Sequence, residues 1–172
     1  MKSSEILEQW HTGVRILHHA HTRAAVSFDR RGRFLGVPVV IASTAVGTSI
    51  FTGLGGSHAL QIAAGLVSFG AAVLSSLQTA LKYPELATQH KSAAQKYGQL
   101  RRKIETRMVA DSEDPSKATA SLDDFRQEWD ALDEQSPNIP QWIYQKATEA
   151  VSAGRSNVTH SADVASPHSA EY

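Results

Sequence analysis

Four histidines crowd one short stretch near the start of the chain: His11, His18, His19 and His21. Imidazole is a common metal ligand and titrates near neutral pH, so the cluster raises a metal site or a proton-responsive surface. A zinc centre needs three or four convergent ligands, and these rings are accompanied by neither an HExxH pattern nor any cysteine. No metal is expected; the imidazoles read as lying near an interface and titrating around neutral pH. The GLGGS run at residues 53–57 has the glycines of a phosphate loop but not the lysine that follows them in one. Arg101, Arg102 and Lys103, with Arg107, form a basic run that could meet anionic lipid or an anionic nucleotide. Asp111, Glu113 and Asp114 follow it closely, so a solvated helix face is the preferred reading. The sequence offers no nucleophile with a base nearby, no paired carboxylates in an apolar setting and no cofactor fingerprint. No catalytic or cofactor-binding residue is expected, and an enzyme is disfavoured.

A second set of polar residues lies within apolar sequence. Thr44, Thr48 and Thr52 are four apart, with Ser43 and Gly47 beside them, so one side of a helix there carries hydroxyls. Gln61, Ser68 and Ser75, with Gln78, give a second helix its own polar side. Glutamine against lipid is costly without a hydrogen-bond partner or a wet cavity. Two readings stay open. Either the hydroxyls return to backbone carbonyls of their own helix, or these faces line a water path. Ala64, Ser68, Ala72, Ser76 and Ala80 form a row of small residues four apart, the pattern that lets helix backbones approach closely in lipid.

The elements that carry these residues follow from where the charges fall. Lys plus Arg and Asp plus Glu are 17 each in 172 residues, yet the 48 residues from Phe34 to Leu81 contain none of them. The other 124 residues carry all 34 charges, about 27%, against 20% for the whole chain. Soluble domains intersperse their charges, whereas this segregation is that of a small membrane protein. Phe34–Leu54 supplies 21 uncharged residues, which as a helix at ~1.5 Å per residue match the ~30 Å of a bilayer core. GLGGSH at residues 53–58 is a turn, and Ala59–Leu81 gives 23 more uncharged residues before Lys82 and Tyr83, which suit a water interface. Pro38 lies early in the first span and does not veto it. A cleaved signal peptide is disfavoured because the 33 residues ahead of this block are polar and helical. Six Lys and Arg precede Phe34, none lies in the turn and a further group follows Leu81, so both termini are expected in the cytoplasm. Arg30, Arg31 and Arg33 fall where head groups are anionic and are expected to anchor the hairpin.

The flanking segments show helical periodicity. Ile6, Trp10, Val14, Leu17, His21, Ala24 and Phe28 recur at three and four, predicting an amphipathic helix from about Ser4 to Asp29. Leu86, His90, Ala93, Tyr97, Leu100, Ile104 and Met108 repeat likewise, the pattern of a seam that pairs with the first helix or another subunit. Ser121 and Asp124 look like a capping start for a helix carrying Leu122, Phe125, Trp129 and Leu132. The SPNIP turn at 136–140 precedes one more helix of about three turns around Trp142, Ile143, Tyr144 and Ala147. Residues 152–172 are rich in Ser, Ala, His and Asn and are expected to be a disordered tail.

The chain resembles the SLATT domain proteins, two-transmembrane bacterial effectors. The resemblance covers roughly residues 10–147 and rests on the order of its parts. These are FDRRGRFLGVP (28–38), STAVGTSIF (43–51), the long run from Ala72 to Glu105 and SPNIPQW (136–142). It implies an effector of a bacterial defence system that forms a pore or disrupts the inner membrane when a nucleotide second-messenger synthase or sensor activates it. These 172 residues are expected to include no nucleotidyltransferase or ligand-sensing domain, so the activator is expected to be a separate chain.

The expected architecture is therefore an all-α integral membrane protein. Residues 1–33 form an N-terminal helix, 34–81 a two-helix transmembrane hairpin (34–54 and 59–81), 82–151 a helical segment and 152–172 the tail. The long cytoplasmic helices pack as a bundle. Two helices cannot enclose a channel, so a pore requires a homo-oligomer; direct nucleic-acid binding is not expected. The alternative is a non-conducting membrane anchor or scaffold that recruits a cytoplasmic partner.

Overall fold

The computed structural model describes residues 3–51, 58–113 and 122–164. Within them the secondary structure is helical: α1 (Ser3–Phe51), α2 (His58–Leu81), α3 (Tyr83–Glu113), α4 (Leu122–Gln135) and α5 (Gln141–Val164). The expected separation between an N-terminal helix ending near Asp29 and a span beginning at Phe34 is absent, since α1 is one helix of 49 residues. An Asp29–Arg33 ion pair at i,i+4 crosses that junction, and such pairs favour the helical turn that brings them together. Pro38 is inside α1 and does not end it.

The chain divides into two compact units, one formed by residues up to Ala24 together with those from Gln89, the other by Ala25–Thr88. In the first, the start of α1 presents Leu7, Val14 and His21 to the interior at heptad spacing, with Trp10, Leu17 and Ala24 on the same stripe. From α3 come His90, Ala93, Tyr97, Leu100 and Ile104, all buried. The predicted seams are thus in place, except that Leu7 rather than Ile6 occupies the core position. The α1 and α3 stretches are antiparallel: His11 meets Glu105, whereas His21 meets His90.

The short helix α4 has Asp123 and Asp124 in its first turn, where carboxylates complement the exposed N–H groups of a helix start. It packs Leu132, Trp129 and Phe125 onto the core, with Trp129 edge-on to Trp10 at 6.4 Å between ring centroids. Ser121, expected as its cap, lies outside the described residues. Gly13 is where α1 comes closest to α4: a β-carbon there would stand 2.6 Å from Cη2 of Trp129. The 136–140 turn ends as Pro140 offers its carbonyl to the amides of Ile143 (2.9 Å) and Tyr144 (3.2 Å). Helix α5 then buries Ile143, Ala147 and Val151 and continues to Val164, past the expected boundary at Ser152. The rest of the expected tail, 165–172, lies outside the described residues.

In the second unit, the later part of α1 meets α2 and the first turn of α3. Phe28 stacks on Tyr83 with centroids 6.0 Å apart, and Gly32 abuts Tyr83 and Pro84. One turn on, Gly36 admits the side-chain amide of Gln78, whose Nε2 is 3.1 Å from where a β-carbon would be. Lys82 joins α2 to α3 with φ of 45°, in the left-handed region that side chains disfavour.

Candidate functional site

The most unusual surface of the molecule is α2. Its 24 residues contain no Asp, Glu, Lys or Arg, and none of them is buried. Leu66 and Phe69 are 68% and 72% exposed, and Leu60, Ile62, Val67, Val73 and Leu77 are exposed beside them. On α1, Phe34, Val37, Val40 and Ile41 are exposed in the same unit. Among the described residues, one helical stretch, His58–Ala110, contains a run long and apolar enough to cross a membrane, and α2 supplies its charge-free part. Large contiguous apolar surface of this kind is uncommon on monomers in water and marks contact with a membrane or another protein.

The polar residues predicted within this surface behave in two ways. Thr44 donates its hydroxyl to the Val40 carbonyl at 2.8 Å, and Thr48 donates to Thr44 at 2.8 Å, with Ala45 at 3.1 Å. On α2, Ser76 donates to Ala72 and Thr79 to Ser75, at 2.9 and 3.0 Å. These hydroxyls are satisfied one turn back along their own helices, the first of the two readings left open by the sequence. Gln61, Ser68 and Ser75 are exposed on α2, and Ser75 borders a polar hollow with Gln78, Thr79, Lys82 and Glu85. Thr52 lies outside the described residues. Of the small-residue row, Ala64 is half-buried and Ser68, Ala72, Ser76 and Ala80 are exposed, while close approaches to α1 run through Gly32 and Gly36.

The three arginines are exposed at the base of this surface. Arg33 pairs with Asp29, and the Arg31 guanidinium sits 5.8 Å from the Phe28 ring centroid. Between α1, the end of α2 and the start of α3, Asp29, Gly32, Arg33, Gly36, Gln78 and Pro84 border a crevice of about 450 Å³ whose remaining wall is valine and isoleucine.

The histidine cluster does not converge. His11 Nε2 lies 2.9 Å from a Glu105 carboxylate oxygen, and His18 donates through Nδ1 to the Ala94 carbonyl at 2.8 Å. His19 rests edge-on against His18, and its pKa is lowered by burial and by the neighbouring His18. His21 turns inward, with Nδ1 2.9 Å from Nδ1 of His90, both residues 1% exposed. No group of three metal-capable side chains forms among the described residues. Titration around neutral pH, expected of these imidazoles, does not hold for His21: burial, with His90 beside it, holds its pKa down to about 4. Burial lowers that of His90 as well. The ring of Tyr97 stacks on His21 at 5.2 Å, and its hydroxyl donates to Asp133. His90 carries the seam periodicity, and its long separation from the first cluster hid the pairing.

Compared with family models, curated proteins and solved structures, the chain matches none.

Proposed function

We propose that this chain is a two-pass protein of the bacterial inner membrane, with both termini in the cytoplasm, and that it acts as a membrane effector. The observation that carries the reading is α2, a charge-free helix of 24 residues without one buried side chain. At ~1.5 Å per residue it is long enough for a bilayer core. The uncharged second half of α1 is the other span, and Arg30, Arg31 and Arg33 face anionic head groups. The bundle of α1, α3, α4 and α5 is the cytoplasmic part through which a separate activator, a nucleotide second-messenger synthase or sensor, would act. This is the design of the SLATT effectors that the sequence resembles. On activation, several copies associate through the exposed row from Ser68 to Ala80. The membrane is then opened or disrupted, causing growth arrest or death. The role is not enzymatic.

A specific observation favours the alternative of a non-conducting anchor. The Thr44, Thr48, Ser76 and Thr79 hydroxyls bond their own helices, so those faces need no water path. One experiment separates the readings. The intact chain is expressed inducibly in bacteria with candidate synthases, while a voltage-sensitive dye follows the membrane potential and fractionation locates the protein. Depolarisation with protein in the inner membrane supports the effector. An intact potential with every partner that binds it supports the anchor, and release by alkaline carbonate overturns both.

A further inference from the structure

Two neutral imidazoles whose Nδ1 atoms are 2.9 Å apart share one proton between those atoms: one ring donates and the other accepts. The contact joins residues 69 positions apart and is buried on both sides. The rings are tilted 40° to one another with centroids 5.1 Å apart. Tyr97 stacks on His21 at an interplanar angle of 14°. Protonating either ring places a charge in this interior, which is unfavourable wherever water is excluded. A second proton sets two N–H donors against each other and adds repulsion between like charges. Neutral, the pair is a hydrogen bond across the seam; one proton leaves that bond in place at the cost of a buried charge, and only with both rings charged is the seam forced apart.

We propose that the His21–His90 contact is an acid-released latch that holds α1 against α3 while both rings are neutral. His21 has titratable neighbours on α1 and α3. On α1, His18 is one turn away and spends Nδ1 on the Ala94 carbonyl. On α3, His90 and Tyr97 touch it directly. On α4, Asp133 is reached only through the Tyr97 hydroxyl. The residues that α5 buries, Ile143, Ala147 and Val151, carry no charge. The lowered pKa of both rings agrees with this geometry. The latch belongs to the bundle alone and stands whether or not α2 crosses a membrane.

The test compares the full chain in nanodiscs with a variant carrying His21→Gln and His90→Gln, which replaces the pair by two amides that hydrogen-bond without titrating. Thermal unfolding of both is followed at about pH 7.5 and about pH 5, and the wild-type midpoint should fall by roughly 5–10 °C more than that of the variant. Equal falls overturn the latch. Because the variant can fail to fold, histidine ring NMR of the wild-type chain provides an independent reading. Both rings should remain neutral at about pH 6, where an ordinary histidine is mostly charged. Midpoints for both rings at or above the ordinary histidine value overturn the proposal.

Discussion

The indole of Trp129 occupies the space where Gly13 has no side chain, with Cη2 2.6 Å from the position a β-carbon would take. Gly13 lies inside α1, where alanine is ordinarily better by about 1 kcal/mol. Here the added methyl forces Trp129 off its site beside Trp10 and against the core cluster on which it packs. Gly13→Ala should therefore destabilise the first unit by about 1–3 kcal/mol, the usual cost of overpacking. Thermal unfolding followed by near-ultraviolet circular dichroism checks this, and Gly13→Ala combined with Trp129→Leu should recover part of the loss.

The bundle should lose stability to acid in two separable stages. The folded-state pKa of His21 is depressed to about 4, so the unfolded chain binds more protons below the ordinary histidine value. Stability is complete above that value and declines as pH falls toward 4, with a total on the order of 3 kcal/mol. Glu105 is held below the ordinary carboxylate range, chiefly by its hydrogen bond to His11, with the Arg101 charge assisting. Its contribution is present above the unfolded carboxylate pKa and is lost only as pH falls through the folded value. The Glu105 side chain is 44% exposed, so its share is small, as for surface pairs generally. Glu105→Gln should lower the unfolding midpoint slightly at every pH above about 5 and remove the further loss near pH 4, leaving the shape of the decline between pH 6.5 and 5 intact, as read by thermal melts across a pH series.

Much of this architecture was legible from periodicity, because a seam of apolar residues at three and four reports which face of a helix is buried. Trp10, Val14, Leu17, His21 and Ala24 on one side, and His90, Ala93, Tyr97, Leu100 and Ile104 on the other, lie where their spacing puts them. What spacing does not encode is the register of one helix against another. The meeting of His21 with His90, and of Gly13 with Trp129, could not be read from either seam alone. The continuity of α1 is hidden in the sequence for a related reason. The charge boundary at Phe34 is a change of surroundings, not a helix-stop signal, and a helix can pass through it. The arginine trio and the hydroxyl positions were visible as residue types; that Arg33 is tied to Asp29 and Thr48 to its own backbone required coordinates.

Tyr97→Phe tests the polar side of the same core. The phenol is held protonated well above its usual range, by burial first and by the hydrogen bond to Asp133 second. Removing the hydroxyl loses that bond, but Asp133 is exposed and regains water. The net loss should be about 1 kcal/mol, less than for a bond between two buried groups. The stacked ring remains on His21, so the acid-induced decline should be unchanged; a denaturant series at two pH values measures both.

Lys82 adopts φ of 45° between α2 and α3. A left-handed conformation costs a non-glycine residue on the order of 1 kcal/mol, and glycine adopts it freely. Its ion pair with Glu85, at 3.9 Å between exposed side chains, offsets little of that. Lys82→Gly should leave the fold unchanged and protect the backbone amides near the junction slightly better against hydrogen exchange. Lys82→Val, branched at the β-carbon, should have the opposite effect.

Phe69 is 72% exposed near the middle of α2, and what surrounds it decides what a charge there does. In a bilayer, arginine at the centre of a spanning helix costs about 2.5–3.5 kcal/mol by insertion scales. Phe69→Arg should then reduce the fraction of protein that resists carbonate extraction, while Phe69→Leu should leave it unchanged. In water the same arginine would improve solubility and leave fractionation as it was. If another protein covers α2, the substitution would release the chain from that partner rather than from lipid. Fractionation of wild type, Phe69→Leu and Phe69→Arg after a carbonate wash separates the bilayer from the other two cases, and co-purification of the three variants without the wash separates a protein partner from water. A graded loss from the membrane that tracks the depth of the charge, strongest at Phe69 and weaker at Leu60, is expected only if α2 crosses the bilayer.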